Sequence, residues 1–130
     1  MNVVDSSGWL EYFGEGANAG FFAPAIQKPA ELLVPTLSIY EVFKRVFQQR
    51  GEGEALRAIA YMQQGEVITL DPEIALSSAK LSLELGLPMA DSIMLATAKS
   101  HGALFWTQDA DFGDIEGVRY IARSRRRRAG

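Results

Sequence analysis

The chain has 130 residues, of which 48% are hydrophobic, and a formal net charge of −3, so we expect one ordered domain with one ordinary core. No apolar run reaches the roughly 20 residues that span a bilayer, and no secretory leader is recognisable, so we expect a cytoplasmic protein with no membrane partner. Without cysteine, and with a single histidine, the chain cannot form disulfides, thiolate metal sites or a multi-histidine zinc site.

The charge is divided unevenly along the chain. Five of the 13 basic residues are Arg123 and the four arginines of residues 125–128, which leaves 8 basic against 16 acidic residues elsewhere. An acidic body argues against broad, non-specific nucleic-acid binding, and the sequence shows no basic groove for RNA. It is compatible with an acidic pocket for divalent cations. We expect the basic tail, residues 123–130, to be solvated and disordered.

The first strand brings an acid close to the start of the chain. Residues 2–4 predict a strand that ends at Asp5, and Ser6 or Ser7 can then cap a helix through residues 8–13. Asp5 is either a structural N-cap or part of a site. The local sequence leaves both interpretations open.

A long amphipathic helix follows the second predicted strand, residues 32–34. Thr36 is a suitable N-cap for this helix, which we predict over residues 37–49. Glu41 lies in its second turn, among apolar and aromatic residues. It can pair with Arg45 one turn later, but a surface ion pair does not require such neighbours, and this favours a buried role.

The central part of the chain continues the alternation of helix and strand. A helix over residues 54–64 and a strand over residues 66–70 precede a helix that Asp71 and Pro72 start. The next helix, residues 89–100, carries Asp91 in its first turn. An acid there complements the helix dipole, so Asp91 taken alone indicates little.

The most informative stretch lies near the C-terminal end. The apolar residues 103–106 predict a buried strand, and Asp109 and Asp111 follow it directly. Ligands of open parallel sheets bind outside the carboxyl ends of the strands. Both aspartates can also be turn or helix caps. A final edge strand is expected over residues 118–121.

Alternating strands and helices predict an α/β fold, with a mainly parallel central sheet flanked by helices, in one domain over residues 1–122. Asp5 and Asp109 then leave the same edge of the sheet from strand ends. Asp91 can face that edge from the start of its helix, and Glu41 can join them if its helix begins there. The topology therefore predicts that four carboxylates converge.

Four converging carboxylates with no lysine or arginine among them repel one another. Either they keep their protons to a higher pH or a cation neutralises them. Ligation by oxygen alone suits Mg²⁺ or Mn²⁺. The usual task of such a site is phosphoryl chemistry, in which the metal activates water and stabilises charge on the phosphate.

Four short segments follow one another along the chain: V-V-D-S-S (residues 3–7), Y-E-V (40–42), M-A-D-S-I-M-L-A-T-A (89–98) and T-Q-D-A-D-F (107–112). In this order they resemble the segments of a PIN domain, and within that superfamily those of the VapC-type toxin ribonucleases of toxin–antitoxin pairs. The resemblance extends from Asn2 to about Ile121. It implies that the first acid of each segment is catalytic and binds the metal, which gives Asp5, Glu41, Asp91 and Asp109.

The resemblance also implies supporting residues, a reaction and partners. Thr107 would orient the acids, Ser6 or Ser7 would be the hydroxyl residue after the first aspartate, and Asp111 would be a supporting residue or a cap. The implied activity is a Mg²⁺- or Mn²⁺-dependent endoribonuclease that leaves 5′-phosphate and 3′-hydroxyl ends. The implied partners are a transfer RNA or ribosomal RNA loop, a cognate antitoxin whose segment occupies the cleft, and a second copy of the chain.

Two other functions are compatible with a small α/β domain that has an acidic pocket. A phosphoacceptor domain needs adjacent acids after its first strand and a lysine after its last, whereas Asp5 stands alone and no lysine follows Lys99. A PIN module that binds RNA or protein without cutting it is the stronger alternative. The presence of all four acids argues against it, but the sequence does not exclude it.

Overall fold

The structure, a computed structural model, describes residues 1–123. The predicted basic tail therefore lies outside the described residues, except for Arg123. Strands and helices follow one another in the order β1 (Asn2–Val4), α1 (Ser6–Phe13), α2 (Ala19–Ile26), β2 (Leu32–Pro35), α3 (Thr36–Arg50), α4 (Glu52–Met62), β3 (Glu66–Ile68), α5 (Pro72–Leu85), α6 (Met89–Ser100), β4 (Leu104–Thr107) and β5 (Val118–Tyr120). Two 3₁₀ turns, Pro29–Glu31 and Ala110–Phe112, precede β2 and follow β4.

The five strands form one parallel sheet in the order β3-β2-β1-β4-β5. This confirms the predicted α/β fold with a parallel central sheet. The chain builds outward from β1 to β2 and β3, and then crosses to the other side of β1 for β4 and β5. The carboxyl ends of β1 and β4 therefore border the switch point of the topology, where ligands of open α/β sheets bind.

Helices cover both faces of the sheet, so its central strands are apolar on both sides. Val4 packs in one core with Trp9, Phe22 and Val42, and this core holds α1 to α4 against the sheet. Its neighbour Val3 points to the opposite core, where Leu95 of α6 is buried. The two-residue period of the strand thus places consecutive valines in different layers.

Two of the helices begin directly at the end of a strand. Ser6 is the first residue of α1 and Thr36 the first residue of α3, and neither helix has a side-chain cap hydrogen bond. The predicted hydroxyl caps are therefore wrong, because these residues lie inside the helices and the cap positions belong to Asp5 and Pro35. By contrast, Asp71 caps α5 as predicted, accepting a 2.8 Å hydrogen bond from the amide of Ile74.

Gly8 lets α1 approach β1 and α2 unusually closely. A Cβ atom at this position would lie 2.6 Å from Cε1 of Phe22 and 2.8 Å from Cγ1 of Val4. This close packing fixes the first turn of α1, which carries the residues that follow Asp5.

None of the helices within residues 1–123 is both long and apolar enough to cross a bilayer.

Candidate functional site

Asp5 lies at the carboxyl end of β1 and is almost fully buried. Its Oδ2 accepts hydrogen bonds from Thr107 Oγ1 at 2.9 Å and from Ser7 Oγ at 3.1 Å. Burial raises the pKa of Asp5, and these hydroxyl donors act in the opposite direction. The cap interpretation does not apply, because the Asp5 side chain makes no cap hydrogen bond to α1.

Thr107 connects the ends of two neighbouring strands. It is fully buried at the end of β4, next to β1 in the sheet. Its Oγ1 donates to Asp5 and also accepts a 2.9 Å hydrogen bond from the amide of Asp109. One side chain thus sets the position of Asp5 and of the loop that carries Asp109.

Glu41 points from the second turn of α3 to the first turn of α1. Ser6 Oγ donates a 2.7 Å hydrogen bond to Glu41 Oε1. The alternative pairing of Glu41 with Arg45 does not occur, since Arg57 and Glu54 form the sole ion pair within residues 1–123. The two serines after Asp5 therefore have separate partners: Ser6 holds Glu41 and Ser7 holds Asp5.

The tightest acidic cluster consists of Asp91, Asp109 and Asp111, which can bring one carboxylate oxygen each within 4.8 Å of one another. Asp91 comes from the first turn of α6. Asp109 Oδ1 accepts a 2.9 Å hydrogen bond from the amide of Asp111. This bond shapes the 3₁₀ turn after β4, and it makes Asp109 a turn cap as well as a member of the cluster.

The charges of five carboxylates act on one another at this edge of the sheet. Burial is the main cause that raises the pKa of Asp91 to about 6, and the negative charges of Asp5, Asp109, Glu41 and Asp111 follow in that order. The one ion pair of the described residues lies elsewhere, so no basic side chain relieves this repulsion. Several oxygen donors without a neutralising partner fit a hard divalent cation such as Mg²⁺ or Mn²⁺.

The structure therefore brings the predicted acids to one end of the sheet, but the three that lie closest together are not all from the predicted set of four. Asp91 and Asp109 belong to the tightest cluster, whereas Asp5 and Glu41 border it. Asp111, given only a supporting position from the sequence, is as close as the other two. The sequence feature that could have indicated this closeness is the spacing of two residues between Asp109 and Asp111. A 3₁₀ turn folds such a short segment back on itself.

Sequence reasoning missed a pair of buried amides beside the cluster. Asn18 Nδ2 donates to Gln108 Oε1 at 2.9 Å and to the carbonyl of Ala122 at 3.1 Å. Gln108 Nε2 lies 3.4 Å from the carbonyl of Ser7. These contacts join the loop before α2, the end of β4 and the end of β5. A lone asparagine and a lone glutamine have no spacing that marks such a role.

Comparisons with known proteins agree with this architecture. The family model described as "PIN domain" matches residues 3–118. A toxin–antitoxin complex from Klebsiella pneumoniae contains a chain that is 23% identical, with a TM-score of 0.79 and coverage of 92% of this chain and 96% of that one. No curated protein matches the chain.

Two further solved structures have the same fold. DNA-bound VapBC from Salmonella typhimurium is 14% identical, with a TM-score of 0.72 and coverage of 94% and 97%. VapC20 from Mycobacterium tuberculosis, described as a sarcin–ricin loop cleaving toxin, is 16% identical, with a TM-score of 0.72 and coverage of 89% and 95%. At these identities the likeness concerns the fold.

Proposed function

The chain belongs to the PIN domain family, and from that premise we propose that it is a metal-dependent endoribonuclease, the toxin of a VapBC-type toxin–antitoxin pair. One observation carries the proposal: Asp91, Asp109 and Asp111 meet at the switch point of the sheet, within the field of Asp5 and Glu41 and without a basic partner. A phosphodiester substrate fits a cation held at such a site.

The residues that would hold one or two Mg²⁺ or Mn²⁺ ions are Asp5, Glu41, Asp91 and Asp109, together with Asp111. When bound, the cation lowers the pKa of water to supply a nucleophile and stabilises negative charge on the phosphate. The donor set contains carboxylate oxygens alone, which is the ligation that these hard cations prefer.

The hydroxyl residues orient the acids without neutralising them. Thr107 and Ser7 hold Asp5, and Ser6 holds Glu41. A lysine or arginine in these positions would satisfy the same oxygens and also remove the negative charge that attracts a cation. Neutral donors therefore keep the site rigid and anionic at the same time, which is what cation binding requires.

The partners that we propose are an RNA substrate, an antitoxin and a second copy of the chain. The Klebsiella relative was solved as a toxin–antitoxin complex, and the Mycobacterium relative is described as cleaving the sarcin–ricin loop. We propose a ribosomal RNA loop as the substrate, in line with the Mycobacterium relative, or a transfer RNA, which the resemblance of the sequence segments also implies. Exposed, unpaired bases are what proteins read in RNA with sequence specificity.

The test is cleavage of a labelled RNA in the presence of Mn²⁺ or Mg²⁺, with a chelator as the control. We expect cleavage with metal, none with chelator, and products that carry 5′-phosphate and 3′-hydroxyl ends. Cleavage that persists in chelator would contradict a metal site. A natively folded protein that binds RNA but cuts it with neither metal would instead be the non-cleaving module.

A further inference from the structure

A groove of about 550 Å³ lies directly beside the acidic site, between α1, α3 and α4. Ser7 and Gln108 form the end nearest the acids, since Ser7 donates to Asp5 and Gln108 precedes Asp109 in the chain. The groove continues past Arg45 and Arg50 towards α4. None of the five carboxylates of the site lines it, so the groove and the acidic site are neighbours with different chemistry.

Arginine is concentrated in this groove. Residues 1–123 contain five arginines, and four of them line it, namely Arg45, Arg50, Arg57 and Arg123; the fifth, Arg119, lies over the ring of Trp106. None of the four lysines in the same part of the chain lines the groove. The presence of arginine instead of lysine matters because the planar guanidinium group can donate two hydrogen bonds to phosphate oxygens at once.

The acids of the groove are already engaged. Glu54 accepts a 2.6 Å hydrogen bond from Arg57, and Glu11 accepts one of 2.8 Å from the amide of Asn18. Within residues 1–123, Arg45 and Arg50 form no ion pair. An excess of positive charge therefore lines one groove of an otherwise acidic protein.

The sequence showed no basic groove, whereas the folded protein has a groove lined by arginines beside the acidic site. Three of the four arginines lie within residues 45–57, on the adjacent helices α3 and α4, and the fold brings Arg123 from beyond the end of β5 to join them. Arg123 is held in place by its neighbour, because the buried Asn18 side chain donates to the carbonyl of Ala122. The groove is thus a product of tertiary structure, which a charge count along the chain cannot reveal.

We propose that this groove binds the sugar–phosphate backbone of a single-stranded RNA segment adjacent to the phosphate that is cut, an inference that rests on the proposed function. The cluster of carboxylates repels a polyanion, and guanidinium groups beside it offset that repulsion. A volume of about 550 Å³ is in the range of pockets that admit one drug-sized molecule, which gives room for a short single-stranded segment.

The experiment measures the affinity of the full-length protein for a fluorescent single-stranded RNA of about 12 nucleotides. Anisotropy is followed in chelator, where no cleavage is expected, over a range of salt concentrations. The variant Arg45→Gln/Arg50→Gln should raise Kd by about tenfold or more, through the loss of charge-assisted hydrogen bonds. The slope of log K against log salt should become shallower by about 1.4, roughly 0.7 for each lost phosphate contact.

The matched control is Lys44→Gln/Lys80→Gln, which removes the same charge from helix positions outside the groove. This control should keep the wild-type slope and stay within about twofold of the wild-type Kd. Arg45 and Arg50 are exposed, so their replacement should leave the fold intact. If the double variant nevertheless unfolds, each single variant is measured, with an expected change in slope of about 0.7.

Kinetics with Mn²⁺ separate this proposal from the proposed function. The arginine variant should raise KM and change kcat little, because it loses binding that substrate and transition state share. An arginine variant with wild-type Kd, slope and KM in a protein that cleaves RNA would overturn the groove proposal alone. If the protein binds RNA through these arginines but never cleaves it, the nuclease proposal alone would be overturned. Binding of a poly-glutamate peptide to the wild type and to the arginine variant is measured in parallel. If the arginine variant loses affinity for this peptide but keeps its affinity for RNA, the groove binds an acidic protein partner and the RNA proposal is overturned.

Discussion

Replacing Asp91 by asparagine should stabilise the metal-free protein at neutral pH. Burial and the surrounding negative charges raise the pKa of Asp91 from 3.8 to about 6. A carboxyl whose pKa is higher in the folded state contributes its full stability below its ordinary pKa, and that contribution is lost as the pH rises through about 6. Above this range, the charged side chain destabilises the fold, and asparagine avoids that cost.

The size of the effect follows from the shift. A shift from 3.8 to about 6 corresponds to roughly 3 kcal/mol at about 1.4 kcal/mol per pH unit. Asp91 is partly exposed, so solvent screening reduces this figure to roughly 1–1.5 kcal/mol. The lost interaction with the N-terminal dipole of α6 subtracts about 0.3–1 kcal/mol. A net gain of roughly 0.5 kcal/mol raises Tm by about 2 °C.

The assay is thermal unfolding in chelator, followed by circular dichroism, at about pH 7.5 and about pH 4, on either side of the shifted pKa. The control is Glu73→Gln, because Glu73 occupies the first turn of α5 as Asp91 does that of α6, but outside the acidic site. The control should lower Tm slightly at about pH 7.5 by loss of the dipole interaction. The reasoning would be refuted if Asp91→Asn lowered Tm as the control does. At about pH 4, Asp91 is protonated in the folded wild type, so the higher Tm expected for Asp91→Asn relative to the wild type should vanish.

The other predictions concern metal binding, the threonine bridge and packing. Mn²⁺ should raise the Tm of the wild type, with about 2.7 kcal/mol of stabilisation at 100 times Kd, and should raise it less for Asp5→Asn; equal shifts would place the ion elsewhere. Thr107→Val should weaken Mn²⁺ binding by about tenfold in calorimetry, because it removes the hydroxyl bridge between Asp5 and Asp109. Thr107→Ser should keep the wild-type affinity for Mn²⁺. A valine variant with wild-type affinity would show that the bridge does not contribute to metal binding. Gly8→Ala should cost about 1–3 kcal/mol of unfolding free energy in urea, since the new methyl group meets side chains of α2 and β1. Gly20→Ala, with nothing within 4 Å, should be neutral or stabilising by up to about 1 kcal/mol; similar values for both would refute the packing argument.

The positions of the acids were predictable where the topology alone decides them. Asp5 and Asp109 follow strands, and the alternation of strands with helices is enough to predict a parallel sheet whose carboxyl ends share one edge. The same reasoning places the start of α6, and with it Asp91, at that edge. These placements depend on the order of elements, which hydrophobic periodicity reveals.

The finer geometry depends on side-chain contacts that periodicity does not describe. Ser6 and Ser7 looked like helix caps, but β1 runs straight into α1, and their hydroxyl groups instead reach Glu41 and Asp5. The nearness of Asp111 to Asp91 requires the 3₁₀ turn after β4. Such contacts are decided by tertiary packing, which local propensity does not determine.

The most direct test of the metal-dependent nuclease is the single-turnover rate of RNA cleavage in Mn²⁺ by the wild type, Asp91→Asn and Glu73→Gln. Asp91 makes no hydrogen bond through its side chain within residues 1–123, so its replacement changes the acidic site with little effect on the fold. We predict that Asp91→Asn loses cleavage by about a hundredfold or more, while Glu73→Gln cuts at the wild-type rate. Cleavage by Asp91→Asn at the wild-type rate would contradict the assignment of this acidic site to the reaction.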